Sequence, residues 1–145
     1  MKEVTRVESR ESSGSISSYR DLIAWRKSMD LLVAIYALTE SFPKNEQFGL
    51  TSQIKRAAVS IPSNLAEGSS RRSTQEFMRY INIATGSLAE VETQLSAAQR
   101  LNFITLKQEE TLLDQCGEIS RIFQGLYNSL KSRLSTRLST LDSEH

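Results

Sequence analysis

The chain predicts an all-α fold, an antiparallel up-and-down four-helix bundle, on three observations. Apolar residues recur at alternating steps of three and four along four successive stretches. The breaks between them are short and carry proline, glycine or capping residues. No stretch has the strict alternation or the turn dipeptides of a β-hairpin. Four amphipathic helices joined by short links pack most simply as antiparallel neighbours.

The first helix begins at Leu22, with Asp21 as its N-cap, and carries the stripe Leu22, Trp25, Met29, Leu32 and Tyr36 to about Ser41. Leu31, Val33, Ile35 and Leu38 fall outside that stripe, so its apolar arc exceeds one seam and implies a buried partner. Phe42-Pro43-Lys44-Asn45 stops it, since the residue before a proline avoids helical geometry. The second helix starts near Phe48 or Gly49 and follows Leu50, Ile54, Ala57, Ala58, Ile61 and Leu65 to Gly68, a C-terminal glycine. Pro62 lies inside it, removes a backbone donor and predicts a kink, with Ser60 or Ser63 available to a freed backbone group.

The third helix keeps its period without a break through Phe77, Ile81, Ala84, Leu88, Val91, Leu95 and Ala98 to about Leu101. Ser73 and Glu76 form its capping box. Thr105 caps the fourth, whose stripe is Leu112, Cys116, Ile119, Phe123, Leu126 and Leu130. Beyond Lys131, Leu134, Leu138 and Leu141 can prolong it, but the interspersed Ser and Thr weaken it and predict fraying before Asp142. The expected organisation is a disordered polar lead over 1–18, one bundle over 19–134 and a frayed tail over 135–145.

Composition narrows the function. With 39% hydrophobic and 24% charged residues the chain reads as a soluble globular domain, with no apolar run long enough to span a bilayer and no secretory leader. The cytoplasm is the default compartment. Cys116, the single cysteine, excludes an internal disulfide and sits on an apolar stripe beside Asp114 and Glu118, which suits a packed core thiol better than a nucleophile. The one histidine, His145, is the last residue, so the Glu-x-x-His pairs of a di-metal bundle are missing and no metal or cofactor is expected. Glu90 and Glu92 lie two apart on a helix and point in different directions. Gly68-Ser69-Ser70-Arg71-Arg72 follows a helix without a preceding strand and lacks the scaffold of a nucleotide cradle. Trp25, Tyr36, Phe77 and Phe123 are assigned to packing. No catalytic site is expected.

A net charge of +1 conceals an uneven distribution. Lys55 and Arg56 on the second helix, with Arg71, Arg72 and Arg79 around the start of the third, are expected to gather at one end of the bundle as a site for nucleic-acid phosphates. The same residues also suit ordinary surface pairing with Glu67, Glu76 or a neighbouring subunit. Small residues at Ala57, Ala58, Ala84, Gly86, Ala89, Ala97 and Ala98 permit close helix contacts within or between chains.

Several motifs carry a resemblance: Phe42-Pro43-Lys44-x-Glu46-x-Phe48-Gly49-Leu50, the continuous run from Gln53 through Lys55-Arg56 and Asn64-Leu65-Ala66-Glu67-Gly68, and Ala84-x-Gly86-Ser87-Leu88-x-Glu90-x-Glu92. Over about residues 20–104 the sequence resembles a bacterial four-helix-bundle family first recognised as reading frames inside intervening sequences of large-subunit ribosomal RNA genes. The resemblance implies a ring-like homopentamer, no enzymatic activity and a nucleic-acid role. A distant relative is the accessory variability determinant of diversity-generating retroelements, a basic pentamer that works with a reverse transcriptase. Carried over by position, Lys55 and Arg56 match the family's basic pair, Asn64, Glu67 and Gly68 its Asn-x-Ala-Glu-Gly signature, and Glu90 and Glu92 its acidic pair. The chain departs from the pattern in Pro62 and in its near-neutral charge. Two partner classes follow: RNA or DNA on the basic residues, or a protein such as a reverse transcriptase or ribosomal component docked without nucleic acid. Asn64 and Glu67 beside Arg72 are expected to form a polar network that sets how subunits meet.

Overall fold

The computed structural model describes residues 18–143; the expected disordered lead and His145 fall outside them, apart from Ser18. Four α-helices account for most of the chain: α1 (Ile23–Thr39), α2 (Leu50–Ser69), α3 (Thr74–Arg100) and α4 (Leu106–Ser143). Short 3-10 turns at Tyr19–Asp21 and Lys44–Glu46 precede α1 and α2. The described residues contain no strand.

Each helix packs against its neighbour in sequence, and α4 returns to α1, which closes a ring of four. The pairing is antiparallel. Gln53 shares a groove with Gln94, Ser60 bonds Ser87, and Gly68 abuts Tyr80, so α3 descends as α2 ascends. Lys27 pairs with Glu118 at 3.1 Å and the Phe42 ring packs at a tilt against Phe103, centres 5.6 Å apart, which sets the same relation between α1 and α4. The α2–α3 turn and the start of α1 therefore share one end of the bundle. The α1–α2 and α3–α4 connections share the other.

The cores of α2, α3 and α4 follow the expected stripes, with Ile54, Ile61, Leu65, Ile81, Leu88, Val91, Leu95, Ile119 and Phe123 essentially excluded from solvent. Helix α1 is turned from its expected face. Its buried residues are Ala24, Ser28, Leu31, Ile35, Leu38 and Thr39, whereas Trp25, Met29 and Leu32 are half-buried and Tyr36 is 41% exposed. The buried face joins the large Leu31, Ile35 and Leu38 to the small Ala24 and Ser28, and Ser28 Oγ donates to the Ala24 carbonyl at 2.7 Å, so its burial leaves no orphan hydroxyl. The apolar surplus therefore lies at Val33 and Tyr36, not at Leu31, Ile35 and Leu38.

The helix ends follow from local chemistry. Leu22, not Asp21, is the cap residue of α1, and no side chain bonds there. Helix α2 runs unbroken past Pro62, while Ser63 Oγ and Asn64 Nδ2 donate to the carbonyls of Val59 and Ser60. Helix α3 starts behind Ser73, whose hydroxyl accepts from the Glu76 amide at 3.2 Å. It ends in a Schellman turn: Asn102 has φ 63°, its amide bonds Gln99 and the Phe103 amide bonds Ala98. Thr105 and Gln108 exchange side-chain bonds with each other's amides and open α4. Helix α4 continues to Ser143, past the point where Ser and Thr predict fraying, although from Lys131 to Leu141 every residue but the half-buried Leu134 is exposed.

Candidate nucleic-acid interface

The α2–α3 turn gathers three of the five predicted basic residues. Ser69 and Ser70 hydroxyls donate to the Ala66 and Glu67 carbonyls, which finishes α2 and leaves Arg71 and Arg72 in the turn before Ser73. Arg71 pairs with Glu67, donates to the Tyr80 hydroxyl at 3.2 Å and stands 5.5 Å from the Tyr80 ring centre. Arg79 reaches Glu76 at 3.1 Å and stands 4.6 Å from that ring. Tyr80 is thus flanked by two guanidinium groups. The Tyr80 hydroxyl, aided by Glu67, raises the Arg71 pKa, and Glu76 raises that of Arg79, so both stay fully charged. Arg72 is exposed and, among the described residues, makes no ion pair. All these groups stand in solvent, where a surface ion pair is worth under about 1 kcal/mol and yields readily to a phosphate.

Lys55 and Arg56 do not join them. Near the opposite end of α2, Arg56 precedes Gly68 by a helical rise of roughly 18 Å, so the expected gathering of all five at one end is corrected. Consecutive helices share a turn, but the two basic groups lie at opposite ends of α2. Lys55 Nζ sits 4.7 Å from the Tyr36 ring centre in an α1–α2 groove of about 450 Å³. Arg56 lines that groove and a second, of about 490 Å³, between α2 and α3 with Gln53, Ser87, Glu90 and Gln94. Gln94 Oε1, which is buried there, has no hydrogen-bond partner.

The signature residues act mainly inside the α2–α3 hairpin. Asn64 Nδ2 donates to the Ser60 hydroxyl at 2.9 Å, and that hydroxyl meets Ser87 Oγ at 2.8 Å across the helices. Glu67 instead pairs with Arg71, so the expected single network of Asn64, Glu67 and Arg72 is corrected: Asn64 bonds Ser60, Glu67 bonds Arg71, and Arg72 joins neither. Gly68 does not terminate α2. It is buried within the last turn, and a Cβ there would meet Tyr80 Cβ at 2.6 Å and Phe77 Cδ1 at 3.1 Å. Its role is close approach. Glu90 lines the α2–α3 groove, whereas Glu92 lies on the α4 side beside Cys116. Burial, with a smaller contribution from Glu92, pushes the Cys116 thiol up to about 12, far from a reactive thiolate. No cluster of His, Cys, Asp and Glu suited to a metal ion occurs among the described residues, and no described helix is long and apolar enough to cross a membrane.

The model of the 23S rRNA-intervening sequence protein family matches residues 20–125, most of the bundle. The chain belongs to that family. Among solved structures it is similar to a protein of unknown function from the S23 ribosomal protein family of Bacteroides thetaiotaomicron VPI-5482, at 26% identity and a TM-score of 0.65 over 72% of this chain and 98% of that one. No curated protein matches.

In this member of the 23S rRNA-intervening sequence protein family, sequence reasoning missed part of the basic end. Arg20 stands 5.4 Å from the Tyr19 ring centre and 5.3 Å from that of Trp25, and the two rings meet edge to face at 5.3 Å. Trp25 therefore packs on the core with one side only. The signal was available in the adjacent pairs Tyr19-Arg20 and Arg79-Tyr80. Lys131, Arg133 and Arg137, on the exposed part of α4, lie beyond the residues that the family model matches.

Proposed function

We propose that this protein is a non-enzymatic, cytoplasmic homo-oligomer, a pentamer on the family resemblance, that binds RNA or DNA as an accessory module. The observation that carries the reading is the basic end, where Arg71 and Arg79 flank Tyr80 and Arg72 stands beside them without an ion pair among the described residues. Phosphate contacts by such residues supply the sequence-independent part of nucleic-acid affinity. The family's description names the 23S rRNA intervening sequence, which keeps RNA among the ligands to test. Lys55 and Arg56, set apart on α2, serve as a second contact that a long strand or a neighbouring subunit reaches. Exposed Val33, Tyr36 and Phe48, the last at 91%, support burial against further copies.

The same apolar residues favour a second reading, a scaffold that docks a reverse transcriptase or ribosomal partner without touching nucleic acid. Light-scattering mass on nuclease-treated protein, then gel shifts with generic RNA and DNA over a salt series, separates the two. A multimer whose binding falls steeply with salt supports the binding module. A multimer that shifts nothing supports the scaffold, and a monomer that shifts nothing contradicts both.

A further inference from the structure

We infer that the basic end is a single-strand site, on which unpaired nucleobases stack against Tyr80 and the Tyr19–Trp25 pair while Arg20, Arg71 and Arg79 take the phosphates; this rests on the nucleic-acid reading above. Two aromatic groups, each with an arginine over a ring, stand at the same end of the bundle. Tyr80 belongs to the first part of α3. The turn Tyr19–Asp21 packs against both α1 and α2. Lys55 over Tyr36 pairs the start of α2 with the end of α1, which brings Trp25 level with the end of α2 and hence with Arg71.

Ring faces held beside the cations offer a nucleic acid a second kind of contact besides its phosphates. Here Tyr19, Trp25 and Tyr80 are all half-buried, fixed by packing on one side and open on the other. Gly68 fixes Tyr80 at its Cβ, and the core holds Trp25. The guanidinium groups lie 4.6 to 5.5 Å from the ring centres, the separation of a cation on a π face. A base brings its own π face and a phosphate its own charge, so a single strand replaces both halves of each contact: the base takes the ring and the phosphate takes the arginine. Stacking of this kind suits any unpaired base, whereas a duplex hides those faces.

Trp25, the single tryptophan, reports directly on the site. The full-length protein is titrated at low salt with labelled oligo-U RNA, oligo-dT DNA and mixed-sequence RNA and DNA duplexes of equal length. Label anisotropy gives binding, and Trp25 emission gives stacking. The expected result is single-strand affinity at least about tenfold above that for the duplexes, with Trp25 emission quenched. Tyr80→Ala, which keeps the Cβ contact with Gly68, should lose about tenfold on single strands and nothing on duplexes, while Tyr80→Phe retains the preference. Whichever single strand binds more tightly identifies RNA or DNA as the source. Duplexes bound equally well, or single strands bound with unchanged Trp25 emission and no effect of Tyr80→Ala, overturn the inference and leave the binding module standing. No anisotropy change with any of the four ligands overturns both.

Discussion

A Cβ atom on Gly68 would stand 2.6 Å from Cβ of Tyr80, so α2 and α3 approach each other there more closely than any side chain at residue 68 permits. The contact lies one turn from Arg71 and holds the ring that Arg71 and Arg79 flank. Gly68→Ala should therefore force the hairpin apart at the basic end and destabilise the fold by about 1–3 kcal/mol, the usual cost of overpacking. Chemical denaturation checks it. A gain in stability, as expected if the residue merely relieved helix entropy, would show that the approach is not fixed.

The Ser60–Ser87 bond makes a graded prediction. Ser87→Ala leaves Ser60 with Asn64 as a partner and should cost about 1 kcal/mol. Ser60→Ala strands the buried Ser87 hydroxyl and removes one acceptor of Asn64, so it should cost more, about 1–3 kcal/mol. In the double variant the two effects should sum to less than the separate values, as measured by a double-mutant cycle.

Much of this architecture is legible in the residue pattern alone. The stripes of α2, α3 and α4 are large, regular and bounded by caps such as Ser73 and Thr105, so periodicity identifies their buried faces. Helix α1 defeats the same reasoning because it is apolar over most of its circumference. The choice of face is then made by tertiary packing, which buries Leu31, Ile35 and Leu38 with the small Ala24 and Ser28 and leaves Val33 and Tyr36 outside. Gly68 is ambiguous for a related reason: a glycine near a helix end suits a cap or a close contact, and only the facing Tyr80 distinguishes them. The division of the five basic residues follows from the length of α2, which sets Lys55 and Arg56 apart from Arg71, Arg72 and Arg79 beyond its far end and which linear proximity conceals. The aromatic partners of the arginines are adjacent in sequence, but a ring on an amphipathic stripe reads first as core.

Cys116 should behave as a sealed core thiol. In native protein near pH 8 it should fail to react with an Ellman-type reagent at rates that the unfolded chain shows readily, because its pKa is pushed up to about 12 by burial first and Glu92 second. A raised thiol pKa means that the folded state holds its proton more tightly than the unfolded one. The associated stability is complete below the ordinary thiol value near 9 and is lost as pH rises from there through about 12. Unfolding free energies across that range, compared with Cys116→Ala, should isolate this slope.

The far part of α4 should be dispensable for folding. Beyond Leu134 its side chains, where described, are exposed, including Leu138 and Leu141. Removal of residues 135–145 should change stability by less than about 1 kcal/mol in denaturant titrations.

The most direct test compares two charge reversals by anisotropy with generic RNA across a salt series. Arg71→Glu with Arg72→Glu alters the basic end, and Lys55→Glu with Arg56→Glu alters the groove near the opposite end of α2. The first pair should abolish most binding and flatten the salt dependence, whose slope in log affinity falls by about 0.7–0.9 for each phosphate no longer neutralised, while the second pair should weaken binding less. Binding that survives reversal at Arg71 and Arg72 with an unchanged salt slope would contradict a phosphate site at the basic end.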